Sequence, residues 1–435
     1  MALKLSKESP VKGLLFTNNQ DDKFRTETIV VRFITPLERV HTQRRAAVID
    51  LLGETCARYP ERKLLFKALM RLYGANLGRF CYPVGNHAVM GFAVTAIADR
   101  YAYGGENVSV ELAGILLDCI FEPNIKDGLF DKTGYDKIIH DLITRIRTQK
   151  NDRHSYAVDR VTQLAFDGEP ASINTSGTLE EAQAITNESL VECYKELLQK
   201  AFISISFCGG GTNTEAQRLV KERFTEFAKN RGYDGEDIES LNMISRIRPE
   251  TQYVTESEEQ SQTKLVMVYK FDHDDAFAMK TAVMLFGGTP FSKLFVNVRE
   301  KLSLCYYCSA VISGSKNAVL VDSGVGKGNE QKALDEIKRQ LALLQEGGFT
   351  DEELENTKRC YIGGIRSAYD FSADMNSWFF RRFVRGDMLT PAEAEEQIKT
   401  VDRERVLAAL AALRLDTVYT YEALEGAAES EEESE

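Results

Sequence analysis

The sequence predicts an α+β protein with two similar halves, each a mixed, mainly antiparallel sheet with helices packed on one face, arranged as a clam-shell. Three observations predict this fold class. The chain has 435 residues, which exceeds what one hydrophobic core usually organises. Stretches of helical and strand periodicity alternate along it. The same order of elements also occurs twice, which indicates an internal duplication whose two copies face each other across a cleft.

The second half shows the order of elements most clearly. Residues Ala276–Phe286 and Phe291–Lys301 have the apolar spacing of helices, and a Gly-Gly pair follows the first of them. Two β-favouring runs come next, Leu304–Ile312 and Ala318–Val325. A helix-forming stretch with a glycine stop follows, and a long helical region then opens with a Thr-x-x-Glu capping signature at Thr350. The predicted order is two helices, two strands and two helices.

The first half repeats this order, and matched residues define the duplication. Pro60 matches Pro290 and Leu64 matches Leu294 at an offset of 230 residues, whereas Phe130 matches Phe349 and Ile146-Arg147 matches Ile365-Arg366 at an offset of 219. A β-favouring run, "FISISFCGGG", closes the first copy, and a polar, glycine-containing segment separates it from the next. The predicted boundaries are a first domain at 1–225, a linker at 226–250, a second domain at 251–425 and a disordered acidic tail at 426–435.

Composition excludes several classes of function. The hydrophobic fraction of 43% and the charged fraction of 28% are those of an ordinary globular protein, and no apolar run is long enough to span a bilayer. The N-terminal residues lack the apolar stretch of a secretory signal, which favours the cytoplasm. The formal charge is −12, with five glutamates among residues 429–435. An acidic chain of this kind is a poor partner for nucleic acid, and no membrane partner is expected.

Two of the eight cysteines, Cys305 and Cys308, form a C-x-x-C pair. The pair falls in a predicted strand, where residues three apart point to opposite faces of the sheet. We therefore expect structural cysteines rather than a redox centre.

The run "GGTPFSKLFVNVREKLSLCY" resembles the C-terminal half of peptidase family M16, the pitrilysin or insulinase clan. That family carries a Gly-Gly-x-x-x-Ser-x-Leu-Phe-x-x-x-Arg-Glu-Lys-x-Gly-Leu-x-Tyr pattern there. The matching residues are Gly287, Gly288, Ser292, Leu294, Phe295, Arg299, Glu300, Lys301, Leu304 and Tyr306. Ser303 stands where the pattern has glycine. The duplicated layout extends the resemblance over almost the whole chain.

The resemblance also implies a zinc site on a helix of the first half, where His-x-x-Glu-His supplies two ligands and a general base. The internal alignment places that helix near Arg44–Cys56, which contains no histidine. His41 precedes it, but arginines follow where the base and the second ligand are needed, and a guanidinium repels a divalent cation. Asp50 and Glu54 are four residues apart and are either metal ligands or, as we expect, part of a solvated helix face. No metal ligands are predicted in this chain.

The resemblance therefore implies the non-catalytic, substrate-binding subunit of a heterodimeric M16-type zinc metallopeptidase, as in the bacterial heterodimers of Firmicutes. Its catalytic partner would carry His-x-x-Glu-His and the zinc. In the family, the residues that match Arg299 and Tyr306 reach the scissile bond, and here they are expected to act in trans on a peptide substrate. Gly287, Gly288 and Ser292 are expected to bind substrate by shaping the cleft wall, or to form a helix-ending turn.

Other interpretations of these residues remain open. Without the flanking match, Arg299 is an ordinary charge near a helix end, and Tyr306 is a half-buried strand aromatic. As a whole, the chain is alternatively a stand-alone peptide-binding or scaffolding pseudopeptidase that captures extended peptides on a sheet edge. A structural subunit like the core proteins of respiratory complexes is disfavoured because no targeting segment is seen.

Overall fold

The computed structural model describes residues 4–210, 213–230, 233–235, 238, 241, 243–314 and 316–424. The strands are β1 (Lys4–Val11), β2 (Leu14–Gln20), β3 (Thr26–Pro36), β4 (Asn76–Val84), β5 (His87–Ile97), β6 (Ile125–Lys126), β7 (Leu129–Phe130), β8 (Phe202–Gly209), β9 (Gln252–Glu259), β10 (Thr263–Lys270), β11 (Cys305–Ile312), β12 (Ala318–Val325) and β13 (Arg414–Leu424). Strands β6 and β7 form a small separate hairpin. The predicted acidic tail at 426–435 lies outside the described residues.

The helices alternate with these strands. They are α1 (His41–Leu52), α2 (Arg62–Arg71), α3 (Val108–Phe121), α4 (Lys132–Thr148), α5 (Arg153–Ala165), α6 (Leu179–Gln183), α7 (Asn187–Lys200), α8 (Thr214–Asn230), α9 (Ala276–Val283), α10 (Glu330–Gln345), α11 (Asp351–Ser367), α12 (Ser372–Val384), α13 (Pro391–Lys399) and α14 (Arg403–Ala412). Two π-helical turns follow α9, at Met284–Gly288 and Leu294–Lys301. Within the described part of the chain, no helix is both long and apolar enough to cross a bilayer.

The two main sheets share one topology over five strands, and the first sheet has β1 as an additional edge strand. The first has the strand order β4-β5-β3-β8-β2-β1, and the second has the order β11-β12-β10-β13-β9. In each, one neighbouring pair is parallel, β2 with β8 and β9 with β13, and the other pairs are antiparallel. This correspondence confirms the predicted α+β fold with two similar halves and mixed, mainly antiparallel sheets.

The chain forms two compact units that are not continuous in sequence. One comprises the described residues of Met1–Thr148, Ile173–Asn242 and Arg366–Pro391, and the other comprises those of Gln149–Ser172, Met243–Ile365 and Ala392–Glu435. Adding the 219-residue offset to Gln149–Ser172 gives residues 368–391, which nearly coincide with Arg366–Pro391. The two segments are therefore equivalent in the duplication, and each belongs to the unit built mainly from the other half of the chain. The boundaries at 225, 250 and 425 stay predictions, and α8 runs across the first of them.

Strand β3 shows how alternation builds the first unit. Ile29, Val31 and Phe33 are buried in the hydrophobic core that the unit's helices share. The intervening residues point to the opposite face, where Arg32 donates hydrogen bonds to Ser206 at 3.0 Å and to Asn376 on α12 at 2.8 Å. Burial lowers the pKa of Arg32 to about 10. Helix α12 is therefore held on this face by polar contacts around a buried guanidinium.

The predicted elements around the sequence motif are confirmed with small shifts. The predicted helix Ala276–Phe286 is α9 followed by a π-helical turn, and the predicted helix Phe291–Lys301 is the second π-helical turn. The predicted strand Ala318–Val325 is β12. The Thr350 capping signature is formed, since its side chain accepts from the Glu353 N–H while its own N–H donates to the Glu353 carboxylate.

Candidate functional site

Gly287 is a packing residue between the first π-helical turn and strand β11. A Cβ atom on Gly287 would lie 2.6 Å from the Ala310 nitrogen and 2.8 Å from a methyl carbon of Leu294. Backbone atoms cannot yield easily to a contact that close, so only glycine fits. Gly287 thus lets the first turn pack against β11, which carries Tyr306, and against Leu294, the first residue of the turn that carries Arg299.

The other two predicted substrate-binding residues differ in exposure. Gly288 is exposed, whereas Ser292 is buried and its hydroxyl donates to the Thr289 carbonyl at 2.7 Å. Ser292 therefore stabilises a local turn, which agrees with the alternative that these residues form a helix-ending turn. Substrate binding by Gly287, Gly288 and Ser292 stays a prediction.

Arg299 lies on the π-helical turn Leu294–Lys301 with a partly exposed side chain. Its guanidinium carbon is 4.6 Å from the centroid of the Phe295 ring, and one nitrogen is 3.7 Å from a Glu300 carboxylate oxygen. An exposed ion pair at that distance contributes little energy. The ring orients the guanidinium while its N–H groups remain largely available to a ligand. Turns of the π type recur at functional sites.

Ser303 ends this turn in a left-handed backbone conformation, with φ 51°. Its N–H donates to the Arg299 carbonyl at 3.1 Å, and the next N–H, of Leu304, donates to the Val298 carbonyl at 3.1 Å. This is the helix-ending geometry that favours glycine. The conformation gives a physical reason for the glycine of the sequence pattern, and Ser303 adopts it at a cost.

Tyr306 is the extra residue of a β-bulge on β11. Cys305 pairs with Val325 and Tyr307 pairs with Gly324, so Tyr306 has no opposite residue on β12. It is 70% exposed, and its hydroxyl makes no hydrogen bond within the described part of the chain. The alternative of a half-buried strand aromatic is therefore wrong. A bulge re-aims one side chain away from the regular alternation, and here it exposes a phenol.

The same bulge corrects the prediction for the C-x-x-C pair. Cys305 and Cys308 are both buried rather than on opposite faces, because the extra residue shifts the alternation by one position. A hydrogen bond between the two thiols lowers the pKa of Cys305, and the nearby charge of Arg299 acts in the same direction. Arg299 is thus close to the residue that precedes Tyr306. Both cysteines are free thiols.

In the first unit, helix α1 occupies the position predicted for a zinc helix. It begins at the exposed His41, and Arg45 is buried one turn later. The Arg45 guanidinium donates to the Pro36 carbonyl at 3.2 Å and lies 3.0 Å from the Glu38 carboxylate. The arginine that replaces a ligand residue therefore anchors the start of the helix.

Glu54 and Asp50 form ion pairs, and the expected solvated face is wrong for Glu54. The Glu54 side chain is 4% exposed and accepts hydrogen bonds from Arg79 on β4 and Lys137 on α4, both at 3.1 Å. The Asp50 carboxylate lies 3.7 Å from Arg79 and 3.7 Å from Arg145. Burial raises the pKa of Asp50 even though both arginines oppose this.

This donor set does not fit a zinc ion. Zinc is held by imidazole, thiolate or carboxylate ligands that are free to coordinate. The carboxylates of Asp50 on α1 and of Glu54, in the turn after α1, are already engaged by cations. Among the described residues, no three His, Cys, Asp or Glu side chains are grouped as a metal site. Sequence reasoning missed Arg79 and Lys137, and nothing in the strand and helix patterns around them marks them as partners of Glu54.

Comparison with known proteins shows which family this chain resembles. Residues 184–360 match the model of the peptidase M16 inactive domain. Over 410 residues, covering 93% of this chain and 95% of the relative, the chain is 23% identical to the probable inactive metalloprotease YmfF of Bacillus subtilis. The chain is thus similar to inactive-type members of peptidase family M16 along almost its whole length. The Arg/Tyr motif and the missing zinc ligands are found together in a chain with this similarity.

Solved structures share this M16 fold. A conserved protein from Enterococcus faecalis aligns with a TM-score of 0.85 at 24% identity, covering 98% of this chain and 100% of that one. An M16 inactive-domain protein from Pseudomonas fluorescens aligns with a TM-score of 0.77 at 16% identity, covering 97% and 99%. The uncharacterized zinc protease YmxG of Bacillus subtilis is 26% identical over 162 residues, which are 36% of this chain and 40% of that protein.

Proposed function

We propose that this chain is the non-catalytic, substrate-binding subunit of a heterodimeric M16-type zinc metallopeptidase in the cytoplasm. Its partner is a second M16 protein that carries His-x-x-Glu-His and the zinc ion. Arg299 and Tyr306 complete the partner's active site and contact the peptide being cleaved. The similarity to a relative described as a zinc protease supports a partner of the same family.

One observation carries this proposal: the free hydroxyl of Tyr306, exposed on a bulge beside the turn of Arg299. A tyrosine exposed to this extent does little for packing, and an unpaired hydroxyl has its donor available. The chain's own α1 cannot supply zinc because arginines and ion-paired carboxylates occupy it. These donors therefore have a catalytic use only if the metal comes from another chain.

The two side chains have the chemistry that peptide hydrolysis requires. The partner's zinc would activate the attacking water. The Tyr306 hydroxyl then donates to the oxygen that becomes negative as the scissile carbonyl is attacked, and the planar guanidinium of Arg299 donates to the substrate backbone. Preorganised donors of this kind contribute roughly 10²–10³ in rate each.

The test is a peptide-cleavage assay on the complex reconstituted with an M16 partner, with assembly checked by gel filtration. Tyr306→Phe removes one donor and keeps the ring, so the complex should form while turnover falls about 10²-fold or more. Arg299→Lys should also be damaging, because an ammonium lacks the planar set of donors. Tyr253→Phe is the matched control, since Tyr253 is an exposed tyrosine on β9, at the other edge of the same sheet.

Wild-type turnover in an intact Tyr306→Phe, Arg299→Lys complex would reject the catalytic role. A loss of assembly in those variants would instead assign both residues to the subunit interface. Equal losses in Tyr306→Phe and Tyr253→Phe would point to a general effect of removing an exposed hydroxyl.

The second candidate is a stand-alone peptide-binding pseudopeptidase. Strand β11 is an edge strand, and it presents the exposed Tyr306 and Val311 beside backbone groups that pair only with β12 within the described residues. An extended peptide can add to such an edge as a further strand. Saturable peptide binding by the isolated chain, with no M16 protein that associates with it, would favour this candidate over the heterodimer.

A further inference from the structure

A cavity of about 140 Å³ lies in the first unit beside helix α1. On the scale where one water molecule needs roughly 10–15 Å³, it has room for a small organic molecule. Its charged walls are Asp50, Arg79 and Arg145, supplied by α1, β4 and α4.

The ion pairs around the cavity are unbalanced. Linked contacts join four cations, Arg62, Arg79, Lys137 and Arg145, to three carboxylates, Asp50, Glu54 and Asp141. Four positive and three negative charges leave one cation in excess. Arg62, which is 67% exposed, lies outside the cavity lining, whereas within the lining two arginines, Arg79 and Arg145, face the single carboxylate of Asp50. Arg145 is 57% exposed and lies 3.7 Å from Asp50, too far for a hydrogen bond. A guanidinium in that state is a ready donor for an anion.

Asp50 balances one of the two arginines that line the cavity. Its carboxylate is the only acidic group among the lining residues. It shares both neighbouring arginines at a loose 3.7 Å. A bound anion that approaches the arginines more closely than Asp50 does can therefore take hydrogen bonds that Asp50 leaves unmade. Its negative charge also limits the cavity to a ligand with a single charge.

The rest of the lining is mixed. Gln43, Thr175 and Ser176 are polar, whereas Ala46, Ala47, Ile138, Leu142 and Phe80 are apolar. An anionic head beside a short aliphatic chain matches this division, because the chain is removed from water while the head meets the cations. Phosphates and dicarboxylates fit poorly, since they bring more charge than the one surplus cation balances.

We propose that this cavity binds a small monocarboxylate with a short apolar chain, either a free acid or the C-terminal carboxylate of a peptide with an apolar last residue. The carboxylate pairs with Arg145 and Arg79, and the aliphatic part packs on Ala46 and Leu142. The site is independent of the proposed peptidase partnership, because every residue involved belongs to the first unit and binding needs no second protein.

Isothermal titration calorimetry of the full chain tests this with butyrate and its neutral isostere butyramide. We expect saturable binding of one butyrate per chain and at least tenfold weaker binding of butyramide. Arg145→Gln should weaken butyrate at least fivefold, and Ala46→Leu should abolish binding by filling the cavity. Arg147→Gln should change nothing, because Arg147 is exposed on the same helix and does not line the cavity.

A second arm identifies the source of the carboxylate. An acetylated tripeptide ending in leucine is compared with its C-terminal amide. Tighter binding of the free-acid peptide than of butyrate assigns the site to peptide C-termini, and weaker binding assigns it to free acids. The proposal is overturned if neither acid binds saturably, if the amides bind as well as the acids, or if both cavity variants keep wild-type affinity while circular dichroism shows them folded.

Discussion

Replacing Glu54 by glutamine removes one negative charge from a buried ion-pair cluster and keeps the side chain's shape. Glu54 accepts two charge-assisted hydrogen bonds, from Arg79 and Lys137, and Arg62 lies 3.3 Å away. Arg79 and Lys137 stay charged, so their bonds to glutamine remain charge-assisted and only the attraction between opposite charges is lost, which we expect to cost about 1–3 kcal/mol. Asp50 and Asp141 still compensate Arg79 and Lys137, which keeps the loss below the 3–5 kcal/mol typical of a fully orphaned buried charge.

The assay is urea denaturation followed by tryptophan fluorescence. Trp378, the chain's single tryptophan, lies on α12 in the same unit as Glu54, so its emission reports the unfolding of that unit. Asp141→Asn is the control, because the Asp141 side chain is about half exposed and its pair with Lys137 should be worth less than about 1 kcal/mol. In about 1 M NaCl the destabilisation caused by Glu54→Gln should persist, whereas the destabilisation caused by Asp141→Asn should become smaller. A loss below about 0.5 kcal/mol for Glu54→Gln would refute the reasoning.

Three further changes test other parts of the chain. Ser303→Gly should raise the free energy of unfolding by about 0.5–1 kcal/mol, because φ is 51° at this position and glycine adopts that conformation without strain. Urea denaturation measures this change, and a lower free energy of unfolding would contradict the account. Asn376→Ala should lower stability by about 1–3 kcal/mol by removing the acceptor of buried Arg32, and unchanged thermal melting by circular dichroism would contradict it. Burial pushes the pKa of Glu256 up, but hydrogen bonds, the first from Arg160, hold it below 4.5. The difference in unfolding free energy between the wild type and Glu256→Gln should therefore be largest above pH 4.5, and it should disappear as the pH falls through the pKa of Glu256 in the folded protein. A difference that stays constant from pH 7 to pH 3 would contradict this.

Much of the fold was predictable because the chain contains a duplication, so that one half of the sequence could be aligned with the other. Matched residues at fixed offsets identify equivalent elements, and the two sheets repeat one topology. The sequence did not predict that α5 belongs to the second unit and α12 to the first. Periodicity shows which face of a helix is apolar, but it does not show which sheet that face covers. One signal was present: Ser372 and Asn376, one turn apart on α12, are polar and buried. They pair with polar groups of β3 and β8.

The candidate site was predictable in position but not in its surroundings. The sequence predicts Arg299 on the helix Phe291–Lys301 and Tyr306 on a strand. The structure has Arg299 on the π-helical turn Leu294–Lys301 and Tyr306 on β11. The bulge at Tyr306 was not predictable, because an extra residue is defined only by its pairing with β12. Glu54 was misjudged because its partners, Arg79 and Lys137, lie 25 and 83 residues away in sequence. A helix pattern cannot distinguish a solvated carboxylate from one that is buried and paired.

The equivalent edge strands of the two sheets use their polar side chains in opposite ways. On β4, Arg79 donates to Glu54 and to the Asp50 carbonyl, so it holds α1 in place without a metal ion. On β11, the Tyr306 hydroxyl is exposed and makes no hydrogen bond within the described residues. A donor with a buried partner can serve a substrate only by breaking a bond worth about 1.5–3 kcal/mol, whereas a free donor has no such cost. We therefore place the proposed peptide contacts in the second half, whose donors are unengaged. In the first half, the proposed carboxylate has to rely mainly on Arg145, because Arg79 is held by Glu54 and by the Asp50 carbonyl.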